Sequence, residues 1–200
     1  MLVCFISFVL ASQVLSFLAS VEVTAAIFCG QCFIGWSNEL LDLESDRSAN
    51  RRSKPLVNGA LDPKTLRNVL PISLALAIGI SLLSPLHVKG TIMHVGGLIS
   101  ATLYNLWLKR TWLSFIPYLV SFALLPIAIY SAAKRSSPVW LIVAFATVAA
   151  AFHFLNVLKD IDDDRRQGIL GLPQRVGRRP SQFIAFLLFV LTIADIVLLR

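Results

Sequence analysis

Two stretches of this 200-residue sequence place oxygen-bearing side chains at matched intervals. The first runs Asn38-Glu39-Leu40-Leu41-Asp42-Leu43-Glu44-Ser45-Asp46-Arg47. The second, 118 residues later, runs Asn156-Val157-Leu158-Lys159-Asp160-Ile161-Asp162-Asp163-Asp164-Arg165. Both read N-x3-D-x3-D followed by Arg. On an α-helix a step of four residues advances about 40° around the axis and about 6 Å along it, so the three side chains form one stripe. A stripe of hard oxygen ligands suits Mg²⁺, which takes one or two carboxylates and fills its shell with water and substrate phosphate. Arg47, Arg51, Arg52, Lys54, Arg165 and Arg166 lie in the same segments and supply cations for phosphate oxygens. The chemistry this combination predicts is metal-assisted diphosphate binding. One acidic helix end is ordinarily a solvated, ion-paired terminus. Duplication at equal spacing, with the same leading Asn and trailing Arg, is what points to function.

The elements that position these residues follow from composition. The chain is 56% hydrophobic and 14% charged, with a mean hydropathy of +0.76, whereas roughly a quarter of the residues in a soluble domain are charged. A water-soluble globule is excluded. Residues 38–67 and 156–179 hold 21 of the 29 charged residues, which leaves the remainder continuously apolar. Continuous runs of roughly 20 apolar residues read as membrane helices, because barrel strands would alternate. Seven such runs are predicted, over about 2–19, 21–41, 66–84, 91–108, 112–132, 138–158 and 182–199. The expected fold class is therefore all-α: a polytopic transmembrane helical bundle of about seven helices, forming one domain over residues 1–200. The segments after the second, fourth and sixth helices carry fourteen of the eighteen Lys and Arg residues, which by the positive-inside rule places both Asp-rich loops in the cytoplasm. The net charge of +7 then reflects topology and anionic headgroups; no nucleic-acid recognition motif is present. Cys29 and Cys32 fall inside the second apolar run and read as small packing residues on one helix face.

Three segments in order resemble the UbiA-type intramembrane prenyltransferases. They are Asn38 to Gly59 (NELLDLESDRSANRRSKPLVNG), Tyr104 to Lys109 (YNLWLK) and Asn156 to Gly177 (NVLKDIDDDRRQGILGLPQRVG). The resemblance implies two pseudo-repeats around a cavity, with the Asp-rich motifs at its cytoplasmic mouth. It also implies Mg²⁺ and a polyprenyl diphosphate donor bound there, a lipophilic acceptor of aromatic, quinone-precursor type, and a wall open to the lipid bilayer. Carried over by position, Asn38, Asp42, Asp46, Asp160 and Asp164 form the metal set. Arg47, Lys54, Lys109 and Asn156 fall to the diphosphate, and Tyr104 joins the four aspartates in the catalytic set. The expected location is the inner (plasma) membrane.

Two features depart from the family pattern. Glu39 stands where the family usually carries Asp, and the family has more spanning helices than the seven counted here. A shortened, non-catalytic or partner-dependent relative therefore stays open beside the enzyme. An ion-coupled transporter is a weaker alternative, since its sites lie near the bilayer midplane at broken helices. A CDP-alcohol phosphotransferase would need D-x-x-D-G-x-x-A-R, which the residues after Asp42 do not supply. His153 reads as a packed interhelical histidine, with contact to the acceptor as the alternative. Pro117 and Pro126 are expected to kink the fifth helix.

Overall fold

The computed structural model describes residues 1–200. It contains ten α-helices and one 3₁₀ turn: α1 (Leu2–Ser12), α2 (Phe17–Ser48), α3 (Pro55–Asn58), α4 (Pro63–Leu83), α5 (His87–Leu106), the turn Leu108–Arg110, α6 (Ile116–Ala132), α7 (Val139–Val157), α8 (Ile161–Arg166), α9 (Leu172–Val176) and α10 (Arg178–Leu199). The seven apolar runs correspond to α1, α2, α4, α5, α6, α7 and α10, and the three short helices lie in the two charged segments. Helices α2, α4, α7 and α10 are long and apolar enough to cross a membrane. Only 17% of the apolar window of α10 is buried within the protein, and 39% of that of α7. Apolar surface on this scale has its natural solvent in lipid.

Helix α2 runs past the expected boundary at residue 41. Ser16 caps its start by accepting from the Ala19 amide at 3.4 Å, and the helix continues for 32 residues. At 1.5 Å per residue that is about 48 Å, well beyond a hydrocarbon core of about 30 Å. The first Asp-rich motif is therefore helical throughout. Leu40 and Leu41 favour helix, as do Glu39 and Glu44 despite their charge, and Leu43 packs with Leu56 of α3 and Leu66 of α4. The helix stops where Asn50 turns left-handed (φ 53). There the Asn50 and Arg51 amides reach back to the carbonyls of Arg47 and Asp46, each at 3.0 Å, which closes the last turn.

The chain divides into two compact units, Met1–Thr91 and Ile92–Arg200. In the first, α2 packs on α1 and α4; in the second, α7 packs on α6 and α10. The two units share a succession of elements, with one addition in the second. In each, the motif segment leads to a short helix with proline in its first turn, then a glycine at positive φ (Gly59 at 83, Gly177 at 92), then a long apolar helix; in the second unit the extra helix α8 stands between α7 and the proline-bearing α9. The two pseudo-repeats are visible in this order. In the second unit Ala151 and Phe154 of α7 bury against Ala185 of α10, and the Thr147 and Thr192 hydroxyls join the same pair of helices at 2.7 Å. Pro117 does not kink α6. It lies in the first turn, where its missing N–H costs nothing, and Pro126 alone is internal.

Candidate active site

In the first unit Asn38, Asp42 and Asp46 lie along one continuous helix, as their spacing requires. Asp46 is only 1% exposed. Its Oδ1 accepts from Arg51 Nη1 at 3.2 Å, and its Oδ2 lies 2.8 Å from Lys54 Nζ. Lys54 also donates to Glu39 Oε1 at 3.0 Å, a contact that uses the extra methylene distinguishing Glu39 from aspartate. A buried carboxylate is tolerable only when compensated; each Asp46 oxygen has an ion-pair partner, and Oδ1 a hydrogen bond as well. Arg47 points elsewhere. It pairs with Glu44 at 3.1 Å and, with Asn50, Arg52, Val57 and Asn58, lines a groove of about 480 Å³. Arg52 is held there by donating Nε to Asn50 Oδ1 at 3.0 Å. The basic loop thus splits into two sets, Arg51 and Lys54 on Asp46, and Arg47 and Arg52 along the groove.

Burial by itself would lower the Lys54 pKa, but its hydrogen bonds to Asp46 and Glu39, with their charges, outweigh it and hold the ammonium above the usual lysine range. A group whose folded pKa is raised contributes stability that is complete below the unfolded value, about 10.4 for lysine. That contribution fades as pH climbs through the higher folded value. Thermal unfolding in detergent between pH 8 and 11 is expected to show this alkaline loss, and Lys54→Met to remove it while lowering stability at neutral pH. An identical alkaline slope in both proteins would contradict the pairing.

In the second unit the expected single stripe is broken. Helix α7 ends at Val157, residues 158–160 form a turn, and α8 restarts at Ile161, so Asn156, Asp160 and Asp164 do not share one continuous helix. Three consecutive aspartates, Asp162, Asp163 and Asp164, occupy the first turn of α8, where carboxylates favour a helix N-terminus. That preference explains the restart. Asn156 and Asp160 are exposed and Asp164 is half-buried.

The two motifs nonetheless end alike. Gly168 is left-handed (φ 73); its amide reaches the Arg165 carbonyl at 3.1 Å, and the Ile169 amide reaches the Asp164 carbonyl at 2.9 Å. Asn50 and Gly168 each stand four residues after the last aspartate. The repeat therefore extends through the helix terminator, a signal that was present in the sequence and that the Asp spacing alone does not capture.

Asp164 Oδ2 accepts from Gln174 Nε2 at 2.8 Å. Arg178 donates to the Leu158 carbonyl and to Asp162 Oδ2, both at 2.7 Å; this hydrogen bond and the guanidinium charge lower the Asp162 pKa. Arg166 pairs with Asp163. Lys109, in the 3₁₀ turn, is 7% exposed. Tyr104 on α5 stands edge-on to Tyr118 and His153, with ring centroids 5.2 and 5.7 Å away. His153 is 1% exposed, with Nε2 3.3 Å from Ser114 Oγ. It is a packed histidine within the second unit.

No group of three or more His, Cys, Asp or Glu side chains closes into a ready-made cage. Carboxylate and carboxamide oxygens of the kind the two motifs carry suit Mg²⁺, because that ion leaves much of its shell to water and phosphate.

The protein is thus all-helical, with membrane-length apolar helices and two Asp-rich segments set among bases. The chain belongs to the UbiA prenyltransferase family, which it matches over residues 1–200. Solved structures share the fold. A UbiA homologue from Aeropyrum pernix K1 superposes with a TM-score of 0.75 at 19% identity, covering 96% of this chain and 74% of that one. A UbiA homologue from Archaeoglobus fulgidus bound to GPP and Mg²⁺ gives 0.78 at 20% identity, covering 90% and 65%. The same homologue bound to DMAPP and Mg²⁺ gives 0.79 at 18% identity, covering 92% and 67%. This chain thus spans about two thirds of the A. fulgidus protein's length. No curated protein matches the sequence.

Proposed function

We propose that this protein transfers a prenyl group from a polyprenyl diphosphate to a lipophilic acceptor of aromatic, quinone-precursor type, with Mg²⁺ as cofactor. The observation that carries the proposal is the duplicated N-x3-D-x3-D-R motif in a chain of the UbiA family. The A. fulgidus homologue, bound to GPP or DMAPP with Mg²⁺, supports both donor and metal. Asn38, Asp42, Asp46, Asp160 and Asp164 would hold the metal, and Lys54, Lys109 and Asn156 the diphosphate oxygens, with Arg47 joining them only by leaving its pair with Glu44. When bound, Mg²⁺ neutralises the diphosphate as the C–O bond breaks.

The rest falls to the chain's own residues. Lys54 and Lys109 are fixed cations, each held by its surroundings, and act where leaving-group charge develops. Tyr104, held edge-on by Tyr118 and His153, completes the catalytic set. The apolar helices exclude water that would quench the allylic cation. The site faces the cytoplasm at the inner (plasma) membrane, following the distribution of Lys and Arg.

Incubating membranes that contain the protein with labelled geranylgeranyl diphosphate and quinone precursors is expected to give a labelled lipid with Mg²⁺ and none with EDTA. Absence of product across donors and acceptors would contradict the proposal. It would favour the second reading, a partner-dependent or non-catalytic relative.

A further inference from the structure

Asp46 and Asp164 hold the same place in the two motifs but meet different partners from the segment that follows. Asp46 faces the Arg51 guanidinium and the Lys54 ammonium, whereas Asp164 accepts from the carboxamide of Gln174 at 2.8 Å. Gln174 is 3% exposed, and its Oε1 is buried with no hydrogen-bond partner. Burying an amide in this way is unfavourable, and an apolar residue of similar size would fill the space without that cost.

The surroundings of Gln174 fix it from several sides. Its main-chain carbonyl accepts from Arg165 Nε at 2.7 Å. The preceding Leu172 amide donates to Ser114 Oγ at 3.0 Å, and Ser114 lies 3.3 Å from His153 Nε2, which packs on Tyr104 and Tyr118. Gly171 makes the close fit possible. A Cβ there would stand 2.7 Å from Gln174 Oε1, 2.8 Å from the Lys109 carbonyl and 2.9 Å from Ser114 Oγ. Hydrogen bonds thus link α9 to Ser114 and, through it, to the Tyr104 cluster, with Gly171 packed close to the Lys109 carbonyl, and the Gln174 amide donates to Asp164.

We propose that Gln174 is a positioning residue: it fixes the orientation of the Asp164 carboxylate before metal and diphosphate arrive, with Ser114 holding the loop that carries it. A neutral amide orients a carboxylate by hydrogen bonding and adds no charge of its own. Outer partners of metal ligands typically change metal affinity about 10- to 100-fold, the range expected here. The proposal rests on Asp164 being a metal-diphosphate ligand.

The test uses the full chain in lipid nanodiscs and reads Mg²⁺-dependent binding of geranyl S-thiolodiphosphate, which cannot transfer its prenyl group readily, beside the melting temperature without Mg²⁺. Gln174→Leu is expected to raise the Mg²⁺ midpoint about tenfold with the melting temperature unchanged or higher. In an Asp164→Asn background the same change is expected to add nothing, since Gln174 acts through that carboxylate. Ser114→Ala, which keeps Gln174 and loosens its loop, is expected to shift the midpoint in the same direction by less, and serves if Gln174→Leu does not accumulate. Mg²⁺-dependent binding by the unaltered protein with no midpoint shift in these variants would overturn the positioning role alone, as would an equal shift in the Asp164→Asn background. Binding by the unaltered protein that ignores Mg²⁺ would overturn the ligand role of Asp164 on which the proposal stands.

Discussion

Replacing Asp42 or Asp160 with alanine is expected to reduce prenyl transfer roughly 10²–10³-fold, the loss typical when one preorganised electrostatic group is removed. Neither residue is a core residue. Asp42 sits half-buried on α2 one turn before Asp46, and Asp160 is exposed in the turn before α8. Membrane insertion and melting temperature should therefore change little, which separates a chemical loss from a folding one. The measurement is product formation from labelled donor in membranes with matched protein levels. Full activity in either variant would contradict the metal assignment. Asp46→Ala is a poorer probe, because it leaves Arg51 and Lys54 facing a buried space with no carboxylate to compensate them.

Gly171→Ala is expected to destabilise the second unit by about 1–3 kcal/mol, the usual cost of forcing atoms into a filled site, and to lower activity with it. The backbone there is ordinary, with φ −67 and ψ 173, so the constraint is one of space. The added methyl meets three oxygens between 2.7 and 2.9 Å, and the Lys109 carbonyl among them is backbone that has little room to yield. Gly79→Ala is the control. It lies inside α4 with nothing within 4 Å of its Cβ, and helix propensity predicts no loss and a gain of up to about 1 kcal/mol. Thermal melts of the two variants in one detergent compare them directly, and equal melting temperatures would contradict the packing described around Gly171.

The seven apolar runs were readable because membrane helices announce themselves by length and continuity, and each has its counterpart in the structure. Their ends were less readable, for two opposite reasons. Residues 42–48 look like a loop by charge, yet Leu43 buries against Leu56 and Leu66 and keeps α2 helical until Asn50 turns left-handed. Residues 2–19 look like one uninterrupted run, yet the chain leaves the helix at Gln13 and starts α2 at the Ser16 cap.

The candidate site was legible in its residue types and less so in its local geometry. The two motifs share a pattern, but the extra aspartates after Asp160 shift the second to a helix start, so identical spacing produced one continuous helix and one broken one. The division of the basic loop, with Arg51 and Lys54 on Asp46 and Arg47 on a separate groove, arises from the fold of residues 49–58. Adjacent bases carry no mark of it. Gln174 reaches Asp164 through the turn at Gly168 and the close packing of Gly171, contacts that spacing arguments do not contain.

On this proposal the Asp-rich motifs hold a prenyl diphosphate through Mg²⁺. Equilibrium binding of a labelled, non-transferable prenyl diphosphate analogue to the protein in nanodiscs, with Mg²⁺ titrated against EDTA, tests it most directly. Saturable binding that appears with Mg²⁺, vanishes with EDTA and is lost in Asp42→Ala is the predicted result. Binding of equal strength with and without Mg²⁺, or retained in Asp42→Ala, would contradict it.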